Sequence, residues 1–117
     1  MPVSPKNIVA RENRMKHFMI KYRFQSGTED EWHKEIGRFI AALDSKPGIK
    51  GKISYRCMKE RDGTGYYHLA SVVDETASKA LRESEFFAPY TEKTKSVAGG
   101  SVEVLPLEVI AETAYRG

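Results

Sequence analysis

Two runs of alternating residues flank the dipeptide Asp62-Gly63, and no other feature constrains the fold as strongly. Asp-Gly between strand-like runs, here 49–60 and 64–73, is a strong signal for a β-hairpin. A turn centred on this dipeptide places four pairs opposite each other: Cys57 and His68, Tyr55 and Ala70, Ile53 and Val72, Lys59 and Tyr66. Because side chains alternate along a strand, these pairs share one face. The second face is more polar and holds Ser54, Arg56, Met58, Tyr67, Leu69 and Ser71.

A strand and a helix precede the hairpin. Residues 17–24 alternate with period two and place Phe18, Ile20, Tyr22 and Phe24 on one face. Thr28 and Glu31 have the spacing of a capping box, which predicts a helix start at Thr28. The apolar residues that follow recur at helical spacing and predict one buried stripe: Trp32, Ile36, Phe39, Ile40 and Leu43. Pro47 and Gly48 favour the end of this helix.

A second helix and a last strand follow the hairpin. Asp74 and Thr76 are alternative caps for the helix. Pro89 cannot lie deep inside a helix, so residues 85–90 are predicted to form a break or a kink, followed by a further helical piece to Val97. The β-rich residues 101–112 predict a strand, and Pro106 indicates a sheet edge.

This order of elements predicts an α+β, ferredoxin-like βαββαβ fold. In that arrangement a four-stranded antiparallel sheet carries both helices on one face. We expect the domain to span 17–113, with an N-terminal arm over 1–16 and a C-terminal tail over 114–117. The sheet face without helices is too large to leave bare, which predicts a homodimer through it.

Composition excludes several classes of protein. The chain of 117 residues is 40% hydrophobic and has no apolar run long enough to span a bilayer, so no membrane partner is expected. The first sixteen residues lack the apolar stretch of a secretory signal, and Cys57 is the only cysteine, which together favour the cytoplasm. The net charge of +3 comes from scattered residues. Strand 65–72 also lacks the motif of RNA-recognition modules, so no nucleic acid is expected.

The segment Phe86-Phe87-Ala88-Pro89-Tyr90 and the closing strand Val104 to Ala111, in this order of elements, resemble the antibiotic-biosynthesis monooxygenase family. The resemblance covers about residues 16 to 113. It implies a dimeric α+β barrel in which two sheets pack face to face and a small pocket lies between sheet and helices. Family oxygenases are described with a pocket asparagine and tryptophan. Here Trp32 lies on the first helix and Asn7 and Asn13 lie outside the core elements, so that catalytic pair is not carried over.

The helix-facing side of the predicted sheet collects polar aromatic residues. Tyr22, Tyr55, Cys57, Tyr66 and His68 lie there, roofed by Trp32, Phe87 and Tyr90. Such a set suits a flat hydrophobic ligand held by a few hydroxyls, and it is equally compatible with an ordinary aromatic core. His68 is the natural catalytic base, because an imidazole can take a proton near neutral pH. The alternative is a core histidine with satisfied hydrogen bonds.

Other chemistries have less support. Cys57 opposite His68 permits a nucleophilic thiolate, although no oxyanion loop is evident. A metal site would need His17, His33 and His68 to converge, and the strand pattern puts His17 on the opposite face from His68. Haem would rest on one pocket histidine. No phosphate-binding loop is present. We therefore expect no metal and no cofactor.

Two functions remain open from the sequence. The first is a cofactor-independent monooxygenase acting on, or binding, a small aromatic or quinone-like molecule between sheet and helices. The alternative is a non-catalytic dimeric module for ligand binding or regulation.

Overall fold

The computed structural model of the protein describes residues 15–114. The elements are β1 (Lys16–Arg23), α1 (Glu29–Ser45), β2 (Ile53–Lys59), β3 (Gly65–Val72), α2 (Glu75–Arg82), α3 (Phe87–Val97) and β4 (Glu103–Leu107). The four strands form one antiparallel sheet in the order β2-β3-β1-β4. The predicted ferredoxin-like fold is confirmed. Nearly all of the predicted arm and tail, 1–16 and 114–117, lies outside the described residues.

Helix α1 begins where the capping box predicts. The side chain of Thr28 accepts a hydrogen bond from the backbone N–H of Glu31 at 3.3 Å. Acidic residues in the first turn interact favourably with the positive end of the helix dipole. The predicted stripe is the buried face of the helix, with Trp32, Ile36, Phe39 and Leu43 inside and Ile40 half-buried. Burial of this stripe against the sheet holds α1 in place.

The β2–β3 hairpin has the predicted register. Cys57 lies opposite His68, and the other three predicted pairs are also observed. Strand β2 begins at Ile53, however, and not at residue 49. Residues 46–52 form turns closed by backbone hydrogen bonds such as the one from Lys50 N to the Lys46 carbonyl at 2.9 Å. Ile49 is 1% exposed in this segment, so its apolar side chain packs into the core from a turn.

The second helical region is split into α2 and α3 as predicted, but the gap lies at 83–86, and residues 87–90, which the sequence assigned to the break, belong to α3. Asp74 caps α2 by accepting a hydrogen bond from the backbone N–H of Ala77 at 2.9 Å. Pro89 is the third residue of α3. N–H groups in the first turn of a helix have no partner within the helix, so proline removes no hydrogen bond at this position. The proline therefore marks the start of α3 and does not weaken its interior.

Within residues 15–114, strand β4 pairs only with β1 and forms one edge of the sheet, as Pro106 predicts. The strand is shorter than predicted and spans Glu103–Leu107. The sheet face away from the helices carries the predicted polar set together with apolar residues. Met58 and Leu107 on this face are 41% and 45% exposed. None of the helices in the described part of the chain is long and apolar enough to cross a membrane.

Candidate functional site

His68 occupies the centre of the buried side of the sheet. Its side chain is fully buried. The Tyr22 hydroxyl lies 2.8 Å from Nε2, and the Tyr55 hydroxyl lies 2.6 Å from Nδ1. The two tyrosines come from the strands on either side of β3, each diagonal to His68 on the same face. Both nitrogens of the imidazole are therefore hydrogen-bonded to tyrosines.

Two helices extend this pair of contacts. The indole Nε1–H of Trp32 on α1 donates to the Tyr22 hydroxyl oxygen at 2.8 Å. The hydroxyls of Tyr55 and Tyr90, the latter on α3, lie 2.9 Å apart. We call this continuous series the tyrosine-histidine chain: Trp32, Tyr22, His68, Tyr55 and Tyr90. Cys57 lies opposite His68 on β2, on the same face of the sheet as Tyr55.

Burial determines the protonation states of these groups. Loss of solvation lowers the pKa of His68 to about 4, so the imidazole is neutral at pH 7. The same cause raises the phenol pKa values of Tyr22, Tyr55 and Tyr90. It also raises the pKa of the Cys57 thiol to about 12. All members of the tyrosine-histidine chain are therefore uncharged at neutral pH. Cys57 is a thiol, which argues against the nucleophilic thiolate.

Stacked rings hold the chain in position. Trp32 and Tyr90 stack with centroids 5.7 Å apart at an interplanar angle of 16°. Tyr90 stacks on Phe39 at 3.8 Å and 2°. On the other side of the chain, Tyr22 stacks on Tyr66 at 5.3 Å and 11°. Rings packed this closely restrict the rotation that would otherwise break the hydrogen bonds between their hydroxyls.

Two of the predicted site residues, Tyr66 and Phe87, lie beside the tyrosine-histidine chain and are not members of it. The Tyr66 hydroxyl lies 2.8 Å from Nε2 of His33, away from His68. Phe87 is half-buried and packs against the edge of the core. The sequence did not indicate a role for His33, which is exposed and borders the buried stripe of α1. Its position next to Trp32 is the only signal, because the contact depends on how the helix docks on the sheet.

A cleft lies between α1 and α3, and Tyr90 of the tyrosine-histidine chain is one of its lining residues. Its volume is about 500 Å³ and its lining consists of Glu35, Arg38, Phe39, Phe86, Pro89, Tyr90 and Lys93. We call it the helix cleft. Its floor is aromatic, and its rim is charged, with Arg38 and Glu35 paired at 3.0 Å. Tyr90 belongs both to this cleft and to the tyrosine-histidine chain, whereas His68 does not line the cleft.

A second cleft, of about 460 Å³, lies at one end of the sheet. Lys21 and Arg23 line it together with Tyr67 and Glu103. It has no residue in common with the helix cleft. Its charged lining consists of two cations, Lys21 and Arg23, and one anion, Glu103, and Tyr22 of the tyrosine-histidine chain also lines it.

The three histidines remain apart. His17 lies on the exposed face of the sheet, where its Nδ1 is 2.7 Å from the Ser71 hydroxyl. His33 contacts Tyr66, and His68 is enclosed by tyrosines. Among residues 15–114, no three side chains of His, Cys, Asp or Glu come together as a metal ion would require.

Comparison with solved structures identifies the same fold in several oxygenase-like proteins. A variant of SnoaB, a cofactor-independent oxygenase from Streptomyces nogalater, superposes with a TM-score of 0.71 at 16% identity, covering 87% of this chain and 99% of that one. A protein from Bacteroides thetaiotaomicron that carries the name of an antibiotic biosynthesis monooxygenase superposes with a TM-score of 0.71 at 13% sequence identity. The match covers 91% of this chain and 99% of that one. A protein of the same name from Caulobacter crescentus superposes with a TM-score of 0.68 at 14% sequence identity, covering 91% of this chain and 99% of that one.

Neither a comparison with protein families nor one with curated protein sequences gives a match. The similarity to the solved structures therefore concerns the fold. At that level, the resemblance to antibiotic-biosynthesis monooxygenases that the sequence indicates is confirmed.

Proposed function

We propose that this protein is a cofactor-independent oxygenase that binds a small aromatic or quinone-like molecule in the helix cleft. The observation that carries the proposal is the position of Tyr90. Tyr90 is one of the lining residues of the cleft, and its hydroxyl is the last member of a chain centred on a neutral buried histidine. The fold is shared with an oxygenase that needs no cofactor.

The aromatic floor of the helix cleft suits a flat ring. Phe39 and Tyr90 stack in parallel planes with centroids 3.8 Å apart, and Phe86 meets Phe39 edge-on at 5.8 Å, so a ligand ring can pack against the edges of this aromatic cluster. The rim carries two cations, Arg38 and Lys93, and one anion, Glu35. An oxygen substituent on the ligand can therefore remain at the rim while the ring packs on the floor.

Cofactor-free oxygenation requires the substrate to become an anion before it passes an electron to O₂. One oxygen atom then enters the product, and the other leaves as water with the two hydrogens removed from the substrate. A hydroxyl placed against the developing oxyanion stabilises it, as in other preorganised sites. In this proposal Tyr90 is the residue that contacts the substrate. His68, predicted from the sequence as a catalytic base, acts through Tyr55 and Tyr90 because it is fully buried.

Oxygen uptake tests the proposal. Native protein should consume O₂ with some members of a panel of quinols and polyphenols. His68→Ala should reduce the rate by at least about tenfold if the chain stabilises the anion. Tyr66→Phe is the matched control, since Tyr66 is equally buried and its hydroxyl lies outside the chain. Equal rates for native and His68→Ala proteins would remove the catalytic assignment.

A non-catalytic binding module is the second candidate, and one observation favours it. Within residues 15–114, no buried side-chain nitrogen or oxygen is left without a hydrogen-bond partner. A site that is fully satisfied and tightly stacked is pre-formed for binding but has no spare polar group for proton transfer. Saturable binding of a quinone without oxygen uptake for any quinol would favour this alternative.

We also propose that the protein forms a homodimer through the exposed sheet face. The face combines exposed Met58 and Leu107 with half-buried Met19, Tyr67 and Leu69. Apolar groups on a flat antiparallel sheet are buried when a second copy packs against them.

A further inference from the structure

Tyr66 connects the buried aromatic residues with the surface of the protein. Its side chain is only 1% exposed, yet its hydroxyl lies 2.8 Å from Nε2 of His33, an exposed residue of α1. When His33 carries its ring proton on Nδ1, Nε2 can accept a hydrogen bond from the Tyr66 hydroxyl, and water can accept one from Nδ1–H. A buried phenol is thereby in direct contact with a base that exchanges protons with the solvent.

Three ring contacts connect Tyr66 with a residue of the helix cleft. Tyr66 stacks on Tyr22 with centroids 5.3 Å apart, and Tyr22 meets Trp32 edge-on at 6.4 Å. Trp32 stacks in turn on Tyr90, at 5.7 Å, and Tyr90 is one of the lining residues of the cleft. We call these four residues the aromatic stack. Tyrosine and tryptophan lose an electron more readily than other aromatic side chains, and ring contacts this short allow an electron to pass from each member to the next.

Stable oxidation of a tyrosine requires a base at its hydroxyl, because a phenol that has lost an electron is a very strong acid. Tyr22 contacts Nε2 of His68, but an imidazolium at this fully buried position would be a charge removed from water. Burial accordingly lowers the pKa of His68 to about 4. The Trp32 indole N–H and the Tyr90 hydroxyl contact tyrosine hydroxyls, which are not bases at neutral pH.

His33 differs from His68 because it is exposed. A proton that passes from Tyr66 to Nε2 of His33 forms an imidazolium at the surface, where water solvates the charge and can remove the proton from Nδ1. From this contrast we infer that Tyr66 is the terminal electron donor of the aromatic stack and that His33 accepts its proton. The stack is thus a route by which a one-electron oxidant in the helix cleft is reduced at the expense of Tyr66.

A peroxyl radical is an oxidant of the class that this route would reduce. It gains one electron from the stack and one proton from water and becomes a hydroperoxide. Tyr66 loses one electron and gives its hydroxyl proton to His33, which leaves a neutral phenoxyl radical. The proton that His33 then releases replaces the one taken from water, so the sum is the transfer of one hydrogen atom. This transfer is not a step of the proposed oxygenation and leaves the initial rate of oxygen uptake unchanged.

Photo-oxidation of Trp32 tests the route, because Trp32 is the only tryptophan in the chain. With a soluble cobalt(III) amine complex as electron acceptor, transient absorption should show the indole radical decaying as a phenoxyl radical appears. Tyr66→Phe should remove this phase. His33→Gln provides an amide at the hydroxyl but no base, and should slow the phase by at least about tenfold. Tyr67→Phe is the matched control, since the Tyr67 hydroxyl is bonded to Glu60 at 2.8 Å and lies outside the stack.

Two results of this experiment would overturn the inference. Phenoxyl formation at the native rate in Tyr66→Phe would show that another tyrosine is the terminal donor. Equal rates for the native protein and His33→Gln would show that His33 does not accept the proton.

Exposure to peroxyl radicals tests the use of the route. With a water-soluble azo initiator in air, oxidation products of Trp32 should accumulate faster in Tyr66→Phe than in the native protein or Tyr67→Phe, as measured by mass spectrometry of peptides. Equal Trp32 fluorescence of the three proteins beforehand serves as the control for folding. Equal accumulation would contradict the protection of the stack by Tyr66. Neither experiment needs a substrate, so failure of oxygen uptake would contradict the proposed function alone, and failure here would contradict this inference alone.

Discussion

Nδ1 of His68 lies 2.6 Å from the hydroxyl oxygen of Tyr55, although the two residues are not opposite each other in the sheet. In the β2–β3 hairpin, the residue opposite His68 is Cys57, and the residue opposite Tyr55 is Ala70. Both partners have small side chains, which leaves room for the tyrosine ring to lean diagonally towards the imidazole. Two small residues in the hairpin thus allow two large polar residues to meet.

Removal of the Tyr55 hydroxyl should destabilise the protein more than removal of the Tyr66 hydroxyl. Tyr55→Phe leaves Nδ1 of buried His68 without a partner and should cost about 1 to 3 kcal/mol in the free energy of unfolding. Tyr66→Phe should cost less than about 1 kcal/mol, because its partner His33 is exposed and can bind water. Urea denaturation of both variants measures the difference. Equal losses would show that the Tyr55 hydroxyl in the tyrosine-histidine chain contributes no more to the free energy of unfolding than the Tyr66 hydroxyl outside it.

Acid should destabilise the protein through His68. The folded pKa is about 4 and the reference value is 6.5, so below pH 6.5 the unfolded chain binds a proton that the folded protein does not. The stability is therefore complete above pH 6.5 and falls as the pH is lowered towards 4. At pH 4.5 this loss amounts to roughly 2 to 3 kcal/mol.

The control for this prediction is His68→Gln, which cannot take up a proton in this range. Urea denaturation at pH 7 and 4.5 should show a smaller loss for the variant than for the native protein. NMR titration of the native protein adds an independent readout, in which the His68 ring should remain neutral down to about pH 5. Parallel pH dependences, or titration of His68 near 6.5, would contradict the prediction.

Cys57 should react slowly with thiol reagents in the folded protein. Its pKa rises from 9.0 to about 12, chiefly by loss of solvation, so the thiolate fraction at pH 8 is about a thousandfold smaller than in the unfolded chain. We expect labelling by a disulfide reagent to be at least about a hundredfold slower than in 6 M guanidinium chloride. Labelling at equal rates would instead support the nucleophilic thiolate that the sequence leaves open.

A charge on the exposed sheet face should prevent dimer formation. Met58 is 41% exposed and projects from this face, so Met58→Asp would place an unpaired carboxylate in the proposed interface. Sedimentation should show a dimer for the native protein and a monomer for the variant. Thr76→Asp introduces the same charge on α2, away from the sheet, and should remain dimeric. A native protein that is monomeric at micromolar concentration would contradict the proposed assembly.

Local sequence patterns were sufficient to predict the secondary-structure elements and the strand register. Alternation with period two, the Asp62-Gly63 turn and the Thr28 cap depend on residues close together in the chain, so they could be interpreted before any tertiary contact was known. The pairing of Cys57 with His68 was correct for this reason. The start of β2 was predicted four residues too early, because Ile49 is apolar and its burial in a turn cannot be distinguished locally from burial in a strand.

The contacts of each polar aromatic residue depend on how the helices dock on the sheet. The sequence placed Tyr22, Tyr55, Tyr66 and Tyr90 around His68 without distinguishing them. The docking of α1 directs the Trp32 indole to Tyr22 and brings His33 to Tyr66, and the docking of α3 directs Tyr90 to Tyr55. A hydrogen bond depends on atomic positions within a few tenths of an ångström, and these follow from packing of helices on the sheet. Periodicity assigns a side chain to a face but does not determine its partner there.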